Sequence, residues 1–235
     1  SHGVTVTTTP AGLEGSVTVT YDESTNLPVF VGVYDPVTAS MDDKNYSAID
    51  VTGTFTIEQL KRGYEKAVNS GSQEKLLMPL LGETGCRLAE IVGLELDDIN
   101  MEQELIHIRP NSVRRLKNKT SERVLPLVGY AKLAVEQALT QADNEWLFPQ
   151  YIKSGHCYAT HASNAVNKWL KKDFNGLTAH CLRHTFRDRL RAVECRMDMI
   201  DQIGGWKSVG SIGNSYGQGY GHDAIRKQMT MITLV

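Results

Sequence analysis

From Thr56 onward, apolar residues return every three or four positions, the spacing of an amphipathic helix. Thr56 followed by Gln59 has the form of a capping box, so a helix starts there. It carries Ile57, Leu60, Tyr64 and Val68 on one face and ends near Gly71. A second helix is predicted over 72–81, distorted at Pro79. Thr84-Gly85-Cys86-Arg87 then leads into a short helix through Val92. Residues 105–109 and 123–127 read as two strands of a hairpin. Helical spacing resumes over 130–141, 159–172, 181–193, 197–203 and 222–229. The pattern predicts an α+β fold, mainly helical, with one small antiparallel sheet.

The first 52 residues follow a different rule. Val4-Thr5-Val6-Thr7, Ser16-Val17-Thr18-Val19-Thr20 and Val29-Phe30-Val31-Gly32-Val33 alternate or cluster β-branched residues between Gly-, Pro- and Asn-rich breaks. That is the language of strands and hairpins. Residues 38–53 are polar and read as a linker. The expected organisation is a strand-rich acidic segment over 1–54 and a second domain over 55–235.

Composition narrows the class. The chain has 235 residues, 41% hydrophobic residues and a formal net charge of −2, so it can bury a core and is not globally disordered. No run approaches the ~20 apolar residues of a membrane span, and the opening lacks the pattern of a secretory signal. The four cysteines form no C-x-x-C pair, as expected of reduced thiols in the cytoplasm. His156, Cys157 and His161 lie close in sequence but lack the paired spacing of a zinc site.

A near-neutral total argues against a nucleic-acid partner, but it averages two unlike pieces. Residues 1–55 hold seven acidic side chains against Lys44 alone, a net of −6. The remaining 180 residues hold 24 basic and 20 acidic side chains, a net of +4. Arg109, Arg114, Arg115, Lys117, Lys119 and Arg123 fall within fifteen residues, opposed only by Glu122. A second cluster contains Arg183, Arg187, Arg189 and Arg191, opposed only by Asp188. Such runs fit either a solvated face or a polyanion-binding surface.

Three stretches hold residue types that a fold alone does not need. In Glu83-Thr84-Gly85-Cys86-Arg87-Leu88-Ala89-Glu90-Ile91, Arg87 sits at a loop-to-helix junction with Glu90 three residues on. By itself that is an ordinary ion pair. In His180-Cys181-Leu182-Arg183-His184-Thr185-Phe186, His180 is expected just before a helix and Arg183 in its first turn, which suits a phosphate. In the third, Gly204-Gly205-Trp206 is followed by a Gly- and Ser-rich stretch to Tyr216 and Tyr220, where a tyrosine can serve as a nucleophile.

Taken in order, Arg87, His180-x-x-Arg183, Trp206 and Tyr216 resemble the tyrosine recombinase (phage integrase) family. The spacings from His180 are 3 residues to Arg183, 23 more to Trp206 and 10 more to Tyr216. The first-box pattern Thr84-Gly85-x-Arg87-x-x-Glu90, with Leu94 and Asp98-Ile99 beyond it, is similar as well. The resemblance covers roughly residues 55–220.

The resemblance implies that Arg87 and Arg183 clamp the non-bridging oxygens of one DNA phosphate, and that His180 assists proton transfer. Trp206 stands where many relatives carry histidine; its indole N–H donates a hydrogen bond but exchanges no proton at neutral pH. Glu90 orients the first box. The family's lysine belongs in the hairpin turn ahead of Glu122-Arg123-Val124-Leu125-Pro126-Leu127, where the expected offset lands on Asn118. Lys117 is favoured on turn geometry, with Lys119 the alternative. Tyr216 is the favoured nucleophile and Tyr220 the alternative.

The implied activity is metal- and ATP-independent strand transfer through a 3′-phosphotyrosine, with no cofactor, on double-stranded DNA, by a tetramer in the full-length protein. A type IB topoisomerase-like enzyme and a non-catalytic DNA-binding relative are the rivals. Family members normally carry a helical core-binding domain ahead of the catalytic one. Residues 1–52 do not read as that domain, so the chain is expected to be a fragment or to carry an unusual N-terminal region. The segment 221–235, with Ile225, Met229, Met231 and Ile232, is expected to pack in cis or to dock on a neighbouring subunit.

Overall fold

The computed structural model describes residues 17–21, 37–41, 53–116, 121–206 and 219–235. The chain divides into two compact units, Ser1–Gly53 and Thr54–Val235. In the first, β1 (Val17–Tyr21) pairs antiparallel with β2 (Val37–Met41), in a register that sets Val17 against Met41 and Tyr21 against Val37. β2 therefore occupies the start of the stretch read as a linker, because Val37-Thr38-Ala39-Ser40-Met41 still alternates despite its polarity. The strands expected around Val4–Thr7 and Val29–Val33 lie outside the described residues.

The second unit is built around one buried helix. α1 (Ile57–Ser70) opens on the Thr56–Gln59 capping box and stops at Gly71, whose φ of 66° is left-handed. It buries Leu60, Gly63, Tyr64 and Ala67, while Ile57, expected on that face, is 52% exposed. α2 (Gln73–Thr84) continues past Pro79 and buries every residue from Leu76 to Thr84. A helix apolar all round needs neighbours all round. α2 has them in α1, α3 (Leu88–Val92), α4 (Gly129–Leu139), α5 (Ala159–Asp173) and α6 (Ala179–Ala192).

A three-stranded antiparallel sheet flanks this helical layer, in the order β3 (Ile99–Asn100), β4 (Leu105–Ile108), β5 (Arg123–Pro126). Ile106 pairs with Leu125, and Ile108 pairs with Arg123, so the hairpin read from the sequence is present with a short third strand at its edge. A two-strand ribbon, β6 (Ile152–Lys153) and β7 (His156–Cys157), escaped the sequence reading because each strand is only two residues long. α7 (Met197–Gly204) and α8 (His222–Thr230) complete the unit. α8 packs against β5 of the same chain and buries Ile225 and Met229.

Candidate functional site

Arg87 is the N-cap residue of α3, in extended conformation, so its side chain leaves the helix at its first turn. Its backbone N–H donates to Glu90 Oε2 at 2.9 Å and its Nη1 to Glu90 Oε1 at 2.7 Å. Nη1 also reaches Ser121 Oγ at 3.1 Å, and Nη2 lies 3.4 Å from the Gly205 carbonyl. Glu90 is buried; burial raises its pKa, but Arg123 and Arg87 outweigh that and hold it below the usual carboxylate range.

Arg183 comes to the same place from the other half of the chain. α6 begins two residues earlier than the sequence suggested, with Thr178 as its N-cap. His180 is thus inside the helix rather than ahead of it, and Arg183 lies beyond the first turn. The Arg183 guanidinium is buried and donates to the Gly85 carbonyl and, at 2.7 Å, to the Gly204 carbonyl. Arg87 and Arg183 therefore sit on the carbonyls of adjacent glycines. Burial, then the charge of Arg87, push the Arg183 pKa down to about 10, so its guanidinium remains charged at neutral pH. Two like charges held together by carbonyl dipoles can receive an anion.

Gly204 and Gly205 end α7, and Trp206 folds back over them. A Cβ on Gly204 would overlap the Trp206 ring. The ring lies 4.2 Å from Cζ of Arg183 and 4.9 Å from Cζ of Arg187. Arg187 is fixed in turn by Asp201, at 3.1 Å. The indole N–H has no hydrogen-bond partner among the described residues.

His180 is exposed, one turn before Arg183 and edge-on to His184 at 4.7 Å between ring centroids. Desolvation, followed by the charges of His184 and Arg183, lowers its pKa below that of an ordinary histidine. Its imidazole is mostly neutral at pH 7 and able to accept a proton.

Lys117, Lys119 and Tyr216 lie outside the described residues. Tyr220 is described: its hydroxyl donates to Asp198 Oδ2 at 2.9 Å, and its backbone is gripped by Gln202 on both sides. Asp198 is in the first turn of α7 and the arginine cluster at its last. At a rise of about 1.5 Å per residue, the Tyr220 hydroxyl is tethered some 9 Å along the helix from the cluster.

Sequence reasoning assigned no role to Arg123, which structure places behind the arginine pair. The signal was available: along β5 the side chains alternate, and Arg123 falls on the same face as the buried Leu125. An arginine on the core side of a strand requires internal acceptors.

Residues 54–220 match the phage integrase family, and residues 1–61 match the MBG domain. Among curated proteins, tyrosine recombinase XerD of Halalkalibacterium halodurans is 30% identical over 129 residues, 50% of this chain and 40% of that protein. XerD of Listeria monocytogenes is 24% identical over 144 residues, 57% of this chain and 46% of that protein. The chain thus spans less than half the length of these relatives. Two solved structures share the fold. XerA recombinase aligns with a TM-score of 0.53 at 19% identity, covering 77% of this chain and 63% of that one. The Tn1549 transposon integrase in complex with circular intermediate DNA aligns with a TM-score of 0.55 at 18% identity, covering 75% and 66%.

Proposed function

The chain belongs to the phage integrase family, and on that footing we propose that it is a site-specific DNA recombinase that cuts and rejoins strands through a 3′-phosphotyrosine. The observation that carries the reading is the convergence of Arg87 and Arg183 on the carbonyls of Gly205 and Gly204, with Trp206 stacked beside them. These guanidiniums take the two non-bridging oxygens of a scissile phosphate, where charge grows in the transition state. The indole N–H of Trp206 supplies one more donor.

The Tyr216 hydroxyl attacks phosphorus in line, and its proton passes to the neutral imidazole of His180. The bond from phosphorus to the 5′ oxygen breaks, and Lys117 gives that oxygen a proton. A 5′ hydroxyl of a second duplex then attacks the phosphotyrosine and regenerates the tyrosine. Tyr216 is preferred to Tyr220 because the Tyr220 hydroxyl is held by Asp198 at the far end of α7.

Double-stranded DNA is the proposed partner; the Tn1549 integrase of the same fold was solved on DNA. Exchange between two duplexes calls for four active sites, hence a tetramer on DNA in the whole protein. Residues 55–235 are the proposed catalytic domain and 1–54 a separate strand-rich segment. The proposed location is the bacterial cytoplasm, where the substrate lies. Among the described residues no helix is long and apolar enough to cross a membrane.

A pool of nicked duplexes of randomised sequence, which cannot religate after cleavage, tests the reading. The protein should form a covalent adduct that survives denaturation, is lost in Tyr216→Phe and persists in Tyr220→Phe. No adduct from the parent protein overturns the enzymatic reading. Persistence in Tyr216→Phe with loss in Tyr220→Phe moves the nucleophile. Relaxation of supercoiled plasmid without joining of two sites turns the reading to a topoisomerase.

A further inference from the structure

Arg123 is buried, so it offers nothing to DNA directly, yet its whole guanidinium is engaged. Nε donates to the Ile203 carbonyl at 2.7 Å, and Nη1 to the Ser121 carbonyl at 2.6 Å. Nη2 donates to Glu90 Oε2 at 2.9 Å and to Cys86 Sγ at 3.2 Å. Those acceptors belong to three separate stretches: the end of α7, the approach to β5, and the segment 86–90 that carries Arg87. Arg87 reaches the same three, through Glu90, Ser121 and the Gly205 carbonyl, so Arg123 braces from the buried side the stretches that Arg87 touches.

Two details tie this contact to the reacting phosphate. Glu90 is shared: one oxygen takes Arg87 Nη1, and the other takes the Arg87 backbone N–H together with Arg123. Gly205, whose carbonyl faces Arg87, lies directly on the Arg123 guanidinium; a Cβ there would sit 2.8 Å from Nη1. A shift of Arg123 therefore moves both the carboxylate that aims Arg87 and the turn that receives Arg87 and Arg183. The nearby buried Arg114 differs: its partners are Asp98 and the carbonyls of Arg109 and Glu90, none of them a group that holds either arginine.

We propose that Arg123 is a positioning residue for strand cleavage, which holds Glu90 and the Ile203–Gly205 turn in one register so that Arg87 and Arg183 present a single oxyanion site. The inference rests on the recombinase reading. A lysine keeps the charge but is a point donor, unable to span three acceptors in a plane.

The test uses two duplexes, identical at a site the parent cleaves except that one carries a methylphosphonate at the scissile position. The methyl group removes the negative charge that the arginines must neutralise, so displacement of the arginines matters less there. Arg123→Lys should slow adduct formation on the natural phosphodiester by on the order of 10–100-fold, the scale of losing one aligned donor. Its loss on the methylphosphonate should be several-fold smaller, and affinity for uncleaved duplex should be unchanged. A variant that merely unsettles the fold would lose on both substrates alike. Glu90→Gln keeps the shape of the shared acceptor and should show the same selective loss, so the test stands if Arg123→Lys folds poorly. Equal losses on the two substrates, no loss on the diester, or a parent that cleaves the diester but not the phosphonate each overturn the inference. A parent that cleaves neither overturns the recombinase reading itself.

Discussion

Gly204 and Gly205 are adjacent glycines that meet different physical requirements. Gly204 leaves room for the indole of Trp206, whereas Gly205 takes a φ of 62° and lies against Arg123. Gly205→Ala adds both left-handed strain and a contact with a buried guanidinium. It should cost about 1–3 kcal/mol in chemical denaturation and cleavage activity as well. Gly204→Ala should displace Trp206, read as a change in tryptophan fluorescence. At His180 the sign of the pH effect is fixed by the lowered pKa: the free enzyme holds a neutral imidazole at pH 7 and loses it on acidification. The rate of adduct formation should be flat above neutrality and fall with a midpoint below the ordinary value of about 6.5. His180→Gln should abolish that acid limb; a midpoint above 6.5 would rule out this role. That Arg87, Arg183 and Trp206 belong together was legible in their order and spacing, and the fold brings the three to one place. Arg123 had no spacing to announce it, since two of its four partners are backbone carbonyls, which any sequence supplies.

Helix boundaries were legible wherever a local device ends the helix. Thr56, Gln59 and Gly71 fix both ends of α1, and Gly205 stops α7. α6 was misjudged at its start because Thr178 makes no side-chain capping bond to a backbone N–H and Ala179 has no polarity to report. Ile57 falls by its spacing on the buried face, yet it stands in the first turn and is exposed. α8 tests the balance of forces in one element. Its ion pair from Arg226 to Glu104 at 2.9 Å is partly exposed, whereas Ile225 and Met229 are fully inside. Arg226→Ala should cost no more than about 1 kcal/mol, and Met229→Ala about 2–5 kcal/mol. Hydrogen exchange of the α8 amides should rise far more in the second variant than in the first.

At the scale of the molecule, one buried carboxyl links three distant elements. Glu83, at the end of α2, accepts from the backbone N–H of Ala131 at 3.2 Å and lies 3.7 Å from Arg189 on α6, which also donates to the Ile232 carbonyl. Burial raises its pKa to about 7 despite Arg189. A carboxyl that binds its proton more tightly when folded favours the folded state at low pH, and that contribution is lost as pH rises from 4.5 to about 7. Stability measured by denaturant at pH 5 and pH 8 should therefore move in favour of Glu83→Gln over the parent, by up to about 3 kcal/mol. An unchanged gap between the two proteins would mean that the carboxyl is ionised at both pH values. Nothing in the sequence flags this, since Glu83 falls just beyond the helix predicted over 72–81, whereas α2 extends to Thr84.

The fate of the two basic clusters has a consequence for ionic strength. Arg109 and Arg114 answer Asp98, Arg123 answers Glu90, Arg187 answers Asp201 and Arg191 answers Asp188, so most of those arginines are matched within the chain. Among the described residues of those runs, Arg115 is exposed and makes no ion pair. Cations already matched by carboxylates displace few counterions when a polyanion arrives. Each phosphate newly neutralised adds about 0.9 to the slope of log affinity against log salt on duplex DNA. The affinity of residues 54–235 for DNA should thus fall much more gently with added salt than a count of the eight arginines in the two clusters would suggest.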